Sequence, residues 1–143
     1  MGSAFKAYSN YYDLLYEDKD YIKEKDYIKS ILNSYNISEG NLLEFGSGTG
    51  MHGKLLAKDG YTVHGVELSE DMVSKAEKSS GFTCQVGDIS VVKIGRTFSA
   101  VLSLFHVISY QTNISKLKAV FDNANVHLNS GGLFLFDFWY SPA

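Results

Sequence analysis

The sequence predicts an α/β fold with a doubly wound, mostly parallel sheet of about five strands, preceded by N-terminal helices. Strand-like and helix-like patterns alternate from residue 41 to the end of the chain. The segment 98–105 is almost entirely apolar, which is typical of a strand covered on both faces. Three glycines at alternate positions, Gly46, Gly48 and Gly50, directly follow the first strand-like segment and predict a tight turn into a helix.

The individual elements follow from these patterns. Strands are predicted at 41–46, 62–68, 82–86, 98–105 and 133–140. Helices are expected at 50–58, from an N-cap at Ser69 to near Gly81, and from an N-cap at Asn113 to a turn at 129–132. The last helix has one apolar stripe, formed by Ile114, Leu117, Phe121, Ala124 and Leu128. One domain, 1–143, is expected, with a helical lid region at 1–40 and a core at 41–143.

Two helices are predicted within the lid region. The apolar face of the first consists of Phe5, Tyr8, Tyr12, Leu15 and Tyr16. The apolar face of the second consists of Ile22, Ile28, Ile31, Leu32 and Tyr35, with Lys23, Glu24, Lys25 and Asp26 on the solvent-facing side.

The composition disfavours several classes of function. With 143 residues, 45% of them hydrophobic, the chain is long enough to bury a core. The net charge of −3 and the lack of a basic cluster disfavour a nucleic-acid partner. No membrane-length apolar run or signal peptide is present, so no membrane partner and a cytoplasmic location are expected. Cys84 is expected to be an inert thiol, and no metal site is predicted because His64 and Cys84 lack ligand spacing with other residues. No chemistry is assigned to His52, His64 or His127.

The glycine turn is compatible with two cofactors. Residues 48–53 match the G-x-G-x-x-G pattern of dinucleotide-binding proteins, and Glu67 at the end of the second strand could accept hydrogen bonds from ribose hydroxyls in either case. Glu44, however, gives the pattern E-x-G-x-G-x-G; a carboxylate there repels a pyrophosphate and suits the ammonium end of a methionine group. Asp88 closes the third strand where an adenine amino group could be recognised. These features, with the long aromatic-rich segment before the first strand, favour S-adenosylmethionine over NAD.

With these motifs, the sequence resembles the class I S-adenosylmethionine-dependent methyltransferases. The resemblance is carried by 42–50, 66–72, Gly87-Asp88, 98–110 and 131–139. The segment 12–16, Tyr-Asp-Leu-Leu-Tyr, is also similar to small enzymes that N-methylate amino sugars on nucleotide carriers. The resemblance implies a Rossmann-like fold and methyl transfer to a small-molecule acceptor, such as an amine on a sugar. Binding without turnover, as a fragment or subunit, is the first alternative, and an NAD-dependent oxidoreductase is the second.

The resemblance also implies roles for individual residues. The expected cofactor-binding residues are Tyr12, Tyr21, Glu44, Phe45, Gly46, Ser47, Gly48, Gly50, Glu67, Leu68, Met72, Gly87, Asp88, Ile89, Leu104 and Phe105. The expected catalytic residues are His106, Tyr16 and Tyr110, with a structural histidine as the alternative for His106. Because the transferred group is already activated on the cofactor, alignment of donor and acceptor is expected to dominate the catalysis.

The sequence departs from the family at its C-terminal end. Class I enzymes of this kind have seven strands, whereas this chain ends after the fifth. The apolar segment 133–139 is therefore expected to form an uncovered edge. A homo-oligomer or a partner chain covering the fifth strand is predicted, with a fragment of a longer protein as the alternative.

Overall fold

The computed structural model of the chain describes residues 21–76, 78–104, 108, 111 and 113–137. The elements alternate along the chain as predicted. In order they are α1 (Tyr21–Ser34), β1 (Gly40–Phe45), α2 (Met51–Lys58), β2 (Tyr61–Glu67), α3 (Glu70–Lys75), β3 (Phe82–Val86), β4 (Phe98–Ser103), α4 (Ile114–Val126) and β5 (Leu128–Phe136). The predicted α/β class is therefore confirmed.

The five described strands form one parallel sheet in the order β3-β2-β1-β4-β5. Strand β1 lies at the centre, where Leu42 is opposite Val63 of β2 and Ala100 of β4. The chain reverses the direction in which strands are added between β3 and β4, which confirms the doubly wound prediction. In such sheets, ligands bind at the carboxyl ends of the strands beside this reversal.

Two apolar layers cover the sheet because successive residues of a strand point to opposite faces. Leu42 packs with Leu32 of α1 and Leu56 of α2 on one face. Its neighbour Leu43 packs with Val120 of α4 on the other. All of these side chains are buried, so the sheet is anchored on both sides and holds the loops at its carboxyl edge.

The N-caps are confirmed, whereas the predicted limits of two helices are wrong. The side chains of Ser69 and Asn113 accept hydrogen bonds from the backbone N–H groups of Met72 (3.2 Å) and Lys116 (2.7 Å). Helix α3 ends at Lys75 rather than near Gly81, because the backbone leaves helical geometry at Ala76, whose side chain is buried in the core.

The junction between α4 and β5 is the largest departure from the sequence prediction. Helix α4 ends at Val126, and Leu128, expected in its apolar stripe, pairs with Phe98 as the first residue of β5. The predicted turn 129–132 lies within the strand, where the pairing shifts between Phe98 and Ala100. Ile114, also expected in the stripe, is 84% exposed because it begins the helix.

The polar face predicted for α1 is also partly wrong. Lys25 is only 9% exposed, because α1 packs on α2 and the Lys25 ammonium donates to Asp59 Oδ2 at 2.6 Å just after that helix. Ile22 and Tyr35, expected to face inward, are exposed, whereas Ile28 and Leu32 are buried as predicted. A lysine stem can cover apolar surface while its ammonium reaches a carboxylate.

Strand β5 pairs with β4 on one side, and no described strand pairs with its other side. On one face of β5, Phe134 and Phe136 contact Phe121 of α4 edge-on, with ring centroids 5.4 and 5.1 Å apart. The partner predicted to cover this edge, and the division of the chain into a lid region and a core, stay predictions. Within the described ranges, no helix is long and apolar enough to cross a bilayer.

Candidate active site

The glycine turn joins β1 to α2 at the carboxyl edge of the sheet. Gly46, Gly48 and Gly50 all have positive φ angles, at 73°, 58° and 83°. The turn is fixed to β2, because the N–H groups of Gly46 and Ser47 both donate to Val66 O, at 2.7 and 3.2 Å. The N-cap of α2 is Gly50, and no side chain in the described ranges caps this helix. The first N–H groups of that helix therefore face the turn.

The last two glycines of the turn are required for different reasons. Among the described residues, a Cβ on Gly48 would meet nothing nearer than Met72 Sδ at 3.9 Å, so this part of the chain leaves bare backbone on the open side of the turn. A Cβ on Gly50 would point inward and lie 2.8 Å from the Phe82 ring. Gly48 thus permits a ligand to approach closely, whereas Gly50 permits α2 to pack on β3.

We expect Gly50→Ala to destabilise the fold by about 2–4 kcal/mol, from left-handed backbone strain and overpacking against Phe82. Gly95→Ala is the matched control, because Gly95 has nearly the same φ angle, 86°, but a Cβ placed there would meet no described atom within 4 Å. The control should lose only about 1–2 kcal/mol. Urea unfolding of both variants measures the difference, and equal losses would show that the Phe82 contact is unimportant.

Glu67 lies at the end of β2 and is bonded to the turn. Its Oε1 accepts from Gly48 N at 3.0 Å and its Oε2 accepts from Ser69 N at 2.8 Å. The side chain is 8% exposed. Burial raises the pKa of Glu67, and the backbone hydrogen bonds from Ser69, Gly48 and Leu68 oppose that rise. Each oxygen of an ionised carboxylate has a second lone pair, so the group can still accept hydrogen bonds from a ligand.

Glu44 lies beneath the turn, in the middle of the sheet. It is 2% exposed, and no donor among the described residues reaches its Oε1. Helix α2 passes close by, since a Cβ on Gly53 would lie 3.3 Å from that oxygen. Burial, and secondarily the charge of Glu67, raise the pKa of Glu44 to about 8. A buried carboxylate without a partner is costly in free energy, so this position suits a cationic ligand.

The two acids and the turn together provide a test of which cofactor fits. A pyrophosphate fits poorly, because its negative charge would oppose ionisation of Glu44 still further, whereas a cation would be stabilised by the ionised form. Such a ligand should have a positively charged amino-acid end and a ribose. The charged end matches the buried Glu44, whose Oε1 has no donor among the described residues, and the ribose matches Glu67 at the edge of the turn. The residues present therefore fit S-adenosylmethionine.

The loop after β3 carries the acid predicted to recognise adenine. Asp88 Oδ1 accepts from Ser90 Oγ at 2.7 Å and Ser90 N at 2.9 Å. The hydrogen bond from the Ser90 hydroxyl is the main cause that lowers the pKa of Asp88. Gly87 N donates to Glu67 O at 3.0 Å, which joins this loop to the end of β2.

The remaining residues predicted to bind the cofactor differ in their exposure to solvent. Leu68 is 43% exposed at the edge of the turn, whereas Met72 is buried beside Gly48. Phe45 and Ile89 are both buried in the apolar layer beneath α4. Ser47 is also buried, and its Oγ has no hydrogen-bond partner in the described part of the chain.

The predicted residues around the acceptor are only partly described. Tyr12, Tyr16, Phe105, His106 and Tyr110 lie outside the described residues. Tyr21 is buried and contacts the His52 ring edge-on, with centroids 5.2 Å apart, and Leu104 is buried at the end of β4. A cavity of about 720 Å³ lies between α1 and the carboxyl ends of β4 and β5. Its lining includes Lys23, Glu24, Tyr27, His52, Leu104, Phe136 and Asp137.

Sequence reasoning missed the position of His52. The side chain is buried, its Nε2 lies 3.1 Å from Glu24 Oε1, and it lines the cavity. The pair connects α1 to the start of α2 across 28 positions of sequence. A single histidine in a helical pattern carries no signal for such a contact. In the described ranges, no group of three or more His, Cys, Asp or Glu side chains could hold a metal ion.

Comparison with known proteins gives relatives with a similar sequence. A 138-residue match to a dTDP-3-amino-3,4,6-trideoxy-alpha-D-glucopyranose N,N-dimethyltransferase from Streptomyces venezuelae is 33% identical and covers 94% of this chain and 58% of the relative. A dTDP-3-amino-3,6-dideoxy-alpha-D-glucopyranose N,N-dimethyltransferase from Streptomyces fradiae is 31% identical, with 92% and 52% covered. The chain thus spans little more than half the length of these relatives.

Solved structures agree with this match. The crystal structure of Streptomyces venezuelae DesVI has a TM-score of 0.85 at 33% identity and covers 94% of this chain and 58% of its own. An amino pentose methyltransferase from Micromonospora echinaspora, solved with S-adenosylmethionine bound, has a TM-score of 0.84 at 26% identity, with 92% and 57% covered. The family model described as a methyltransferase domain matches residues 42–132, more than half of the chain. The chain therefore belongs to the methyltransferase domain family, in the class that depends on S-adenosylmethionine.

Proposed function

We propose that this chain binds S-adenosylmethionine at the glycine turn and that the complete protein transfers its methyl group to an amine of a small-molecule acceptor, in particular an amino sugar. The observation that carries the cofactor assignment is the buried, unpartnered Oε1 of Glu44 beneath the turn, with Glu67 beside it. The relatives' names, which specify N,N-dimethyl transfer on dTDP-linked amino sugars, support the choice of acceptor.

Four residues of the site have defined roles in this proposal. The bound cofactor supplies an activated methyl carbon and a good leaving group. Glu44 balances the positive charge of the amino-acid end, and Glu67 accepts from the ribose hydroxyls. Asp88 accepts from the adenine amino group, and the exposed Leu68 covers one face of the base. These contacts fix the donor in position, and such positioning can supply up to roughly 7–11 kcal/mol of the barrier reduction.

The acceptor is assigned to the cavity between α1 and the ends of β4 and β5. Glu24 and Asp137 place carboxylates in its lining and Tyr27 and Phe136 place aromatic rings there, a combination that suits a protonated amine on a sugar ring. The amine must lose a proton before it attacks the methyl group. We keep His106 or solvent, expected from the sequence, as the group that takes this proton. Contacts of Tyr16 and Tyr110 with the acceptor also remain part of the proposal.

Binding and turnover are tested separately. Isothermal titration of the chain with S-adenosylhomocysteine should show one binding site, and NAD should not compete for it. Failure of S-adenosylhomocysteine to bind the folded chain would contradict the cofactor assignment, and competition by NAD would favour the oxidoreductase alternative, which the family match already disfavours.

Turnover is measured by formation of demethylated cofactor with a panel of amines, amino sugars and dTDP-linked amino sugars. Turnover restricted to the amino sugars supports the proposal for this chain itself. Binding without turnover would identify the chain as a cofactor-binding fragment or subunit, the alternative expected from the sequence. Mass measurement in solution tests the predicted oligomer, and the cytoplasmic location stays a prediction.

A further inference from the structure

The end of α4 is bonded to the loop that carries the acid assigned to adenine. We infer that Asn123 and His127 are positioning residues that fix the loop 87–94 for recognition of the adenine base. This inference rests on the proposed function, since it assumes that Asp88 faces the adenine amino group. Neither residue makes a described hydrogen bond to the glycine turn, although the His127 ring lies edge-on to Phe45 just before that turn, with centroids 6.5 Å apart. The side-chain hydrogen bonds of Asn123 run to the loop alone, so Asn123 is the cleaner test of the two.

Asn123 holds the loop by two backbone carbonyls. Its Nδ2 donates to Ile89 O at 2.9 Å and to Val92 O at 3.0 Å. The side chain is buried beneath the loop, and its own Oδ1 has no partner in the described part of the chain. Ile89 directly follows Asp88, so one amide group sets the backbone next to the adenine-binding carboxylate.

His127 fixes the far end of the same loop. Its Nε2 accepts from Ile94 N at 3.1 Å, and its Nδ1 donates to Asn123 O at 2.7 Å. This pair of bonds requires the neutral ring with the proton on Nδ1. The histidine therefore connects the loop to the backbone of Asn123, and the two side chains form one unit with three bonds to the loop.

The loop depends on this unit because it has little regular structure of its own. No helix or strand is present between β3 and β4. Within it, Asp88 O accepts from Val91 N at 3.1 Å and Val92 N at 2.8 Å, which makes one turn around Asp88. Gly87 N fixes the start of the loop to Glu67 O of β2, and the apolar contacts of Ile89 and the bonds from α4 position the rest of the turn relative to the sheet.

Packing alone does not explain an asparagine at position 123 of α4. Its helix neighbours Val120 and Ala124 fill the same apolar layer without polar groups. A buried amide costs free energy unless it makes hydrogen bonds, and here one oxygen makes none. What the amide adds beyond packing is its pair of hydrogen bonds to the carbonyls of the loop, which fix the loop backbone.

Selectivity for the base provides the test. The probes are S-adenosylhomocysteine and its hypoxanthine analogue, in which an oxo group replaces the purine amino group. The unmodified chain should prefer the adenine form. Asn123→Ala should weaken binding of the adenine form about tenfold, equivalent to roughly one ordinary hydrogen bond, and should reduce the preference between the two probes.

Leu32→Ala is the control for loss of stability alone. It truncates a fully buried side chain of α1 in the apolar layer on the other face of the sheet from Ile89, so it leaves the packing beneath the loop unchanged. It should lower the free energy of unfolding while leaving the preference between the probes unchanged. Adding Asn123→Ala to Asp88→Ala should weaken binding little further, because both changes act through the same contact.

His127→Ala is the second variant, and it tests the same inference if Asn123→Ala does not fold. It removes the bond to Ile94 N and should also reduce the preference for the adenine form. Unchanged preference in a folded Asn123→Ala or His127→Ala chain would overturn the inference. Absence of binding to the unmodified chain would instead contradict the proposed function, so the two failures are distinguishable.

Discussion

Replacing Glu67 with alanine is expected to raise the dissociation constant for S-adenosylhomocysteine about 100-fold. Hydrogen bonds to a charged group contribute roughly 1.5–3 kcal/mol each, so loss of the proposed bonds to the ribose hydroxyls corresponds to a factor of about 10–100 or more. The carboxylate also accepts from Gly48 N and Ser69 N, and its removal leaves both donors without that partner. Isothermal titration of the two chains measures the effect.

A ligand without the ribose 2′-hydroxyl separates direct binding from support of the turn. The unmodified chain should bind 2′-deoxy S-adenosylhomocysteine more weakly than the parent ligand, whereas Glu67→Ala should bind both about equally. Ser69→Ala serves as the control, because it removes the cap on Met72 N but keeps the backbone donor to Glu67. If Glu67→Ala still discriminated between the ligands as strongly as the unmodified chain, Glu67 would not contact that hydroxyl.

Local rules explain which parts of the fold could be predicted from the sequence. The positive φ angles of Gly46, Gly48 and Gly50, and the caps at Ser69 and Asn113, depend on residues within a few positions of one another. The same is true of the alternation of strands and helices, which indicates the fold class but not the order of the strands in the sheet. Short-range steric and hydrogen-bonding preferences are sufficient for these features.

The features that sequence reasoning missed depend on distant partners. Lys25 is buried because Asp59, 34 positions away, accepts from its ammonium. His52 meets Glu24 across 28 positions, and Asn123 reaches the carbonyls of Ile89 and Val92 across 34 and 31. The spacing of hydrophobic residues does not show which distant residue a polar side chain will meet. The burial and contacts of polar residues on helices were therefore not predicted.

The start of β5 differs from its prediction for a related reason. Leu128 continues the helical spacing of the apolar residues in α4, yet it pairs with Phe98 in the sheet. The sequence 129–132, Asn-Ser-Gly-Gly, is typical of a turn, but the strand includes it, with the positive φ angle of Gly131 near the shift in pairing. A bulge can absorb an irregular segment without ending a strand, and only the partner strand determines where it lies.

The buried carboxyl of Glu44 should make both stability and cofactor binding depend on pH. Its pKa is about 8 in the folded chain, against an ordinary value of about 4.5, because of burial and the neighbouring charge of Glu67. Between these two values the folded chain binds a proton that the unfolded chain has lost. Stability should therefore fall as pH rises from about 5 to 8, by up to about 1.4 kcal/mol per pH unit from this group.

Urea unfolding of the unmodified chain and Glu44→Gln between pH 5 and 8 tests this dependence. The difference in unfolding free energy, variant minus unmodified, should increase with pH, because the amide cannot ionise. The raised pKa of Glu67 contributes to the slope in both proteins and largely cancels in the difference.

Cofactor binding should have the opposite pH dependence. A cationic ligand favours the ionised form of Glu44 and lowers its pKa, so binding must displace the bound proton at any pH below about 8. The affinity for S-adenosylhomocysteine should therefore rise between pH 6 and 8, by at most about tenfold per unit, and Glu44→Gln should abolish the rise. A Glu44→Gln chain that retained the full rise would show that another group near the turn takes up the proton, and the assignment of Glu44 to the ammonium end would then be wrong.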